Sequence, residues 1–184
     1  MESALRDRDP EGDGADQLKV IETFRYEAGA GFLRLPQHLA RCAETCAKLG
    51  APFDAVKIRR TLNALAPPQI ARIRLTVDME GRIEIAATPL EDEPKVWRLT
   101  VCAERLDPED RWLRIKTTRR ALYDKARAQL PDGVDEALFA NSRDRLCEGT
   151  ITNLFVDFGE GMVTPPVADG LLPGELRQQM LDAG

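Results

Sequence analysis

Between residues 37 and 77 the hydrophobic repeat of this chain changes from that of a helix to that of a strand, which restricts it to folds that mix the two. From Gln37 to Leu49 the apolar positions Leu39, Cys42, Ala43, Cys46 and Leu49 recur at helical spacing, and Gly50 closes the run. Pro36 stands at the entry, where its missing N–H costs nothing. A second helix is expected from Asp54, carrying Val56, Ile58, Leu62 and Leu65 and ended by Pro67-Pro68. Beyond the prolines, Arg72-Ile73-Arg74-Leu75-Thr76-Val77 alternates with period two, so one face is polar and the other buried.

The same reading assigns the rest of the chain. Strands are expected at 19–25, 32–35, 70–77, 82–87 and 97–103, and again at 112–116, 136–141, 149–158 and 162–164. Helices are expected at 118–130 and from Pro173-Gly174 to the end. The mixture indicates an α+β or mixed α/β fold in two halves, a small N-terminal domain over 17–103 and a C-terminal domain over 104–184. Residues 1–16 hold six acids against Arg6 and Arg8, with Pro10, Gly12 and Gly14 among them, and read as an acidic disordered tail.

Composition closes off several classes of function. No apolar run approaches the roughly 20 residues that cross a bilayer, and no signal-peptide core follows the N-terminus, so a soluble cytoplasmic protein without a membrane partner is expected. The net charge of −5 and the absence of a concentrated basic surface argue against nucleic acid as a partner. Cys42, Cys46, Cys102 and Cys147 form no Cys-x-x-Cys unit, and His38 is the one histidine. No metal site is expected, and the cysteines read as reduced, buried thiols.

Three segments could carry chemistry. Lys116 stands between the 112–116 strand and the helix that follows, where side chains converge on active sites; Lys19, Lys48, Lys57, Lys95 and Lys125 do not. By position alone Lys116 reads as a solvated strand-end residue. Glu148 opens Glu-Gly-Thr-Ile-Thr-Asn-Leu-Phe, and by position alone is a charge at a strand start. Gly174-Glu175-Leu176-Arg177 opens a helix, whose free N–H groups and dipole make an anion site. Arg41 lies on the polar side of the 37–49 helix.

Together, Lys116-Thr-Thr-Arg-Arg-x-x-Tyr123, Glu148-x-x-x-x-Asn153-Leu-Phe, His38-Leu-Ala-Arg41 and the 170–177 turn resemble the class-IV aminotransferase family. The likeness runs over about residues 19–184 and is greatest to the 4-amino-4-deoxychorismate lyase branch. It implies the two-domain fold-type-IV fold of the D-amino-acid aminotransferase kind, with the last domain cut short, and pyridoxal 5'-phosphate (PLP) as cofactor. It also implies a small amino substrate and a homodimer. By this resemblance Lys116 is the catalytic lysine that bonds the cofactor, and Glu148 faces its pyridine nitrogen. Arg41 and the amides of Glu175 and Leu176 hold the phosphate, and Arg74 meets a substrate carboxylate.

The implied activity is elimination of pyruvate to give 4-aminobenzoate, a step of folate synthesis. Transamination of a D- or branched-chain amino acid, or a non-catalytic role, is the alternative. Aminotransferases of the family commonly have Tyr five residues after the lysine; here that position is Ala121, and Tyr123 matches the lyase branch. The departure at Glu175-Leu176, where aminotransferases often have Ile and Thr, removes a hydroxyl and adds a carboxylate.

Overall fold

The computed structural model describes residues 18–65, 67–91 and 96–184. The expected acidic tail lies outside them. The chain divides into two compact units between Glu93 and Pro94, ahead of the boundary expected at 103. The reason is pairing: the strand expected at 97–103 forms the ladder of the second unit.

The N-terminal unit is a four-stranded antiparallel sheet carrying two helices. Its strands are β1 (Lys19–Glu27), β2 (Gly31–Phe32), β3 (Ile70–Asp78) and β4 (Ile83–Pro89), in the order β2-β1-β3-β4. The second strand is shorter than its expected span of 32–35, because Arg34 turns left-handed (φ 55°) and the chain enters α1 (Leu35–Leu49) directly. Leu39, Cys42, Cys46 and Leu49 are buried on α1, and Gly50 ends it at φ 73°. Helix α2 (Ala55–Asn63) starts where the Asp54 side chain accepts from the Lys57 amide, and it buries Ile58 and Leu62. Val56, expected on that apolar side, is exposed.

Register places Val20, Glu22 and Phe24 opposite Val77, Leu75 and Ile73, so these residues share one face of the sheet. Glu22 is thus a fully buried carboxylate among apolar neighbours. Helix α1 supplies its partners: His38 Nδ1 lies 2.7 Å from Oε2, and Arg41 donates Nε at 2.8 Å to Oε1 and Nη2 at 2.6 Å to Oε2. Burial alone would raise the Glu22 pKa, but the bonds from His38 and Arg41 hold it below its ordinary value of 4.5. Arg41, on the polar side of α1 by position, is locked to the sheet with its side chain 12% exposed. Arg74 lies on the opposite face of β3 and is exposed.

The C-terminal unit holds β5 (Leu99–Leu106), β6 (Glu136–Asn141) and β7 (Leu146–Gly149), with β5 parallel and β7 antiparallel to β6. It adds α3 (Ala121–Ala128), the short hairpin β8 (Val156–Asp157) and β9 (Met162–Val163), and α4 (Glu175–Ala183). All six residues of β6 are buried. Leu106, Phe139, Cys147 and Leu171 form the core, with Leu113, Leu122 and Tyr123 packed against it. Of two further expected strands, the first is absent and the second is broken. Asp110 accepts from the Trp112 amide and winds Arg111–Arg114 into a 3-10 turn, so Lys116 follows a turn rather than a strand. The 149–158 run breaks after Gly149 and resumes only at β8.

The Glu22 cluster generates a stability prediction. A folded pKa below the unfolded one contributes stability above pH 4.5 that disappears as pH falls through the folded value. Glu22→Gln leaves Arg41 short of its counter-charge and is expected to cost about 3 kcal/mol at pH 7. Urea unfolding at pH 7 and pH 3 checks it: the gap between wild type and variant should narrow in acid.

Candidate functional site

Strand pairing puts Glu148 opposite Phe139, so both side chains leave the same face of the β6–β7 ladder. Helix α3 covers that face. Tyr123 stacks against Phe139 with ring centroids 5.0 Å apart, and its hydroxyl donates to Glu148 Oε1 at 2.7 Å. The other oxygen, Oε2, accepts from the Leu172 amide at 3.1 Å and from Asn153 Nδ2 at 3.4 Å. Burial pushes the Glu148 carboxyl up to about 7, against the pull of Tyr123, the Leu172 amide, and the positive charges of Lys116 and Arg120. Lys116 and Glu148 are therefore electrostatic neighbours within one unit. Burial likewise raises the Tyr123 phenol well above its ordinary range, and the adjacent carboxylate adds to that.

The turn after Glu148 is shaped by a second buried carboxylate. Glu136 accepts the Thr150 amide at 3.0 Å and the Thr150 hydroxyl on Oε1, and the Ile151 amide at 3.2 Å and Thr152 hydroxyl at 3.0 Å on Oε2. Arg127 stands 3.5 Å from Oε1, and Arg120 donates to the Thr150 carbonyl at 2.9 Å. These bonds curl the chain so that Asn153 returns to bridge back onto Glu148. Asn153 also donates to the Leu172 carbonyl at 2.9 Å, so both polar groups of residue 172 are tied to this turn.

Those bonds deliver the start of α4 to the same region. Gly174 is its cap residue, and a Cβ there would strike the Asn153 side-chain amide. Glu175 and Leu176 are the first two helical residues, whose amides have no acceptor within the helix. Leu176 is half exposed and turns its side chain away from the core. Arg177, buried in the first turn, donates to the Pro165 carbonyl at 2.8 Å and fixes the helix to the preceding loop.

The C-terminal unit thus groups Lys116, Glu148 and the amides of Glu175 and Leu176. Arg41 and Arg74 belong to the N-terminal unit, where Arg41 holds Glu22 and Arg74 stands on the outer sheet face. Sequence reasoning missed Glu22, Glu136, Arg120 and Arg127. The available signal for Glu136 was an acid opening the apolar run Ala137-Leu138-Phe139-Ala140, matched to hydroxyls at 150 and 152. Lys125, inside the helix that follows Lys116, pairs at the surface with Glu104 at 3.1 Å. All four cysteines are free, and among the described residues no His, Cys, Asp and Glu cluster could hold a metal.

The family model for class-IV aminotransferases matches residues 19–184, and the chain belongs to that family of PLP-dependent enzymes. A provisionally named amino-acid aminotransferase from Mesorhizobium loti is 43% identical. Its crystal structure superposes with a TM-score of 0.86 over 91% of this chain and 84% of that one. A provisionally named aminodeoxychorismate lyase of Schizosaccharomyces pombe is 27% identical over 92% of this chain and 75% of its own length. The 4-amino-4-deoxychorismate lyase of Pseudomonas aeruginosa shares the fold, with 23% identity and a TM-score of 0.73 over 95% of this chain and 74% of that one.

The raised Glu148 pKa gives a pH-dependent prediction. With the folded value near 7 and the unfolded one near 4.5, this group's contribution is complete below pH 4.5 and is lost as pH rises through 7. Between pH 4 and pH 8 the stability of Glu148→Gln relative to wild type should therefore move in the variant's favour by about 3 kcal/mol. Denaturant melts of the cofactor-free chain at the two pH values measure it; a constant difference contradicts the assignment.

Proposed function

We propose that this chain binds PLP and acts as a 4-amino-4-deoxychorismate lyase, releasing pyruvate and 4-aminobenzoate. The observation that carries the cofactor reading is a buried carboxylate, Glu148, within the electrostatic reach of Lys116, its oxygens already oriented by Tyr123, Asn153 and the Leu172 amide. The donor set fits the group. A pyridine nitrogen wants a charged acceptor, an aldehyde wants an amine, and a phosphate wants the amides of a helix start. The chain supplies all three. When bound, PLP supplies an electron sink for charge developing on the substrate.

The remaining chemistry belongs to the protein. Glu148 accepts the ring N–H and keeps the sink charged. The amides of Glu175 and Leu176 would take phosphate oxygens; the assignment of Arg41 to the same group rests on family likeness, its Nε and Nη2 being bonded to Glu22. Arg74 is assigned to a substrate carboxylate. Lys116 removes the substrate's ring proton; the C–O bond to the enolpyruvyl group then breaks, the ring becomes aromatic, and the leaving enol is protonated to pyruvate. Lyase rather than transaminase is favoured by Ala121, which leaves no phenol at that turn, and by the lyase-named relative. The 43% identity to an aminotransferase supports the second reading, amino-group transfer by the same residues. A homodimer is part of this reading and rests on family likeness alone.

Two outcomes test it. PLP followed by borohydride should fix a pyridoxyl mass on the Lys116 peptide of wild type, whereas Lys116→Ala should take up none; label on another lysine contradicts the assignment. Incubation with 4-amino-4-deoxychorismate should then yield fluorescent 4-aminobenzoate and equimolar pyruvate. Amino transfer to 2-oxoglutarate without pyruvate release establishes the aminotransferase instead.

A further inference from the structure

The carboxyl of Glu148 is asymmetrically satisfied. Oε2 takes two donors, the Leu172 amide and Asn153 Nδ2, which match its two lone pairs. Among the described residues Oε1 takes one, the hydroxyl of Tyr123, which leaves a single lone pair on that oxygen. The tyrosine is itself fixed, by Phe139 at 5.0 Å and by the Arg120 guanidinium 5.8 Å from its ring centroid. Arg120 is held in turn by Asp124 at 2.7 Å and by the Thr150 carbonyl. Every group that sets the plane of the carboxyl is thereby anchored to the β6–β7 ladder, the α3 start or the 172 loop.

We propose that Tyr123 is a positioning residue of the cofactor site: by donating to Oε1 of Glu148 it keeps that carboxylate charged and orients it so that the second lone pair of Oε1 receives the ring nitrogen's proton. This rests on the PLP reading above. A neutral carboxyl would offer a donor where an acceptor is needed, and a rotated one would present Oε2, whose lone pairs are taken. The phenol cannot take over the charge, since burial beside a carboxylate opposes its ionisation. Lys116 before α3, Arg120 at its start and Cys147 on β7 are the other titratable groups facing this carboxyl. Tyr123 stands two positions beyond Ala121, where aminotransferases of the family commonly place a tyrosine, and it reaches the acid on β7 from the side of the helix that packs on the core with Leu122 and Ala126.

The test uses the full chain carrying 13C-labelled glutamate carboxyls, with the Glu148 resonance identified by its loss in Glu148→Gln. In Tyr123→Phe, which keeps the ring against Phe139, the Glu148 midpoint should rise by about one pH unit. Replacing both tyrosines of the chain, Tyr26 and Tyr123, by 3-fluorotyrosine keeps the fold and makes the phenol a stronger donor, so the midpoint should fall. With PLP labelled at its ring nitrogen with 15N, wild type at pH 8 should hold that nitrogen protonated and Tyr123→Phe should not. A Glu148 midpoint that moves in neither variant, or a ring nitrogen unchanged by Tyr123→Phe, overturns the proposal and leaves Tyr123 a packing residue. If wild type fails to bind PLP at all, the cofactor reading falls, while the carboxyl titration still decides whether Tyr123 governs Glu148.

Discussion

The geometry of this site depends on Glu136, a residue that has no place in the chemistry. It opens β6 at 1% exposure, and a charge so deeply buried persists only where donors surround it. The next stretch of chain supplies them: two amides and two hydroxyls from Thr150, Ile151 and Thr152. To bring four donors onto one carboxylate, the chain must leave the extended path of β7 immediately after Gly149. That residue has to be glycine, because a Cβ there would lie 2.8 Å from the Glu136 side-chain carbon. Glu148 before the turn and Asn153 after it are consequently held at a fixed spacing. Without that curl, Asn153 would not reach the Leu172 carbonyl, and the α4 start would lose its tie to Glu148.

Three buried carboxylates in one small chain show how differently a protein can treat the same group. Glu22 and Glu136 are bonded beside cations, the first by Arg41 with His38, the second by the 150–152 turn with Arg127 close by. Their bonds are spent within the fold. Glu148 is buried to a similar degree but its bonded donors are neutral, a phenol and two amides, and burial pushes its carboxyl up to about 7. A buried acid without a bonded cation lowers the stability of the empty protein. A ligand that donates an N–H to it recovers part of that loss on binding, so the deficit appears as affinity. This contrast, more than the presence of an acid in a motif, separates the carboxylate proposed for the cofactor from the structural ones.

Much of the N-terminal unit was legible because its elements obey simple periods. The helical spacing of Leu39, Cys42, Cys46 and Leu49 is found as expected, and so is the alternation through Arg72–Leu75, which lapses at the buried Thr76. Errors gather where a single side-chain bond overrides the local pattern. Trp112–Lys116 alternates like a strand, yet one acceptor, the Asp110 carboxylate, winds it into a 3-10 turn. The 149–158 run is rich in strand formers, yet Glu136 bends it from 13 residues upstream of Gly149. Arg41 reads as a surface residue by helix position, because nothing in its own segment announces the acid on β1. Long-range partners of buried charges are what a linear pattern does not carry.

The choice between lyase and aminotransferase turns on a different kind of information. Both reactions need an amine, an acid at the ring nitrogen and an anion cradle, so fold and site residues are common to them and sequence identity to either kind of relative measures shared scaffold. What separates the two is where Lys116 delivers the proton it removes and whether a leaving group lies across the bond that weakens. Delivery is controlled by groups that can hold the amine between two positions. At Ala121 there is only a methyl, and the nearby hydroxyl, that of Tyr123, is committed to Glu148. On the proposed reading neither position offers Lys116 a phenol to steer the proton's return, a condition that suits elimination, where the proton need not be handed back to the substrate. The Tyr123–Glu148 bond thereby adds support to the lyase reading.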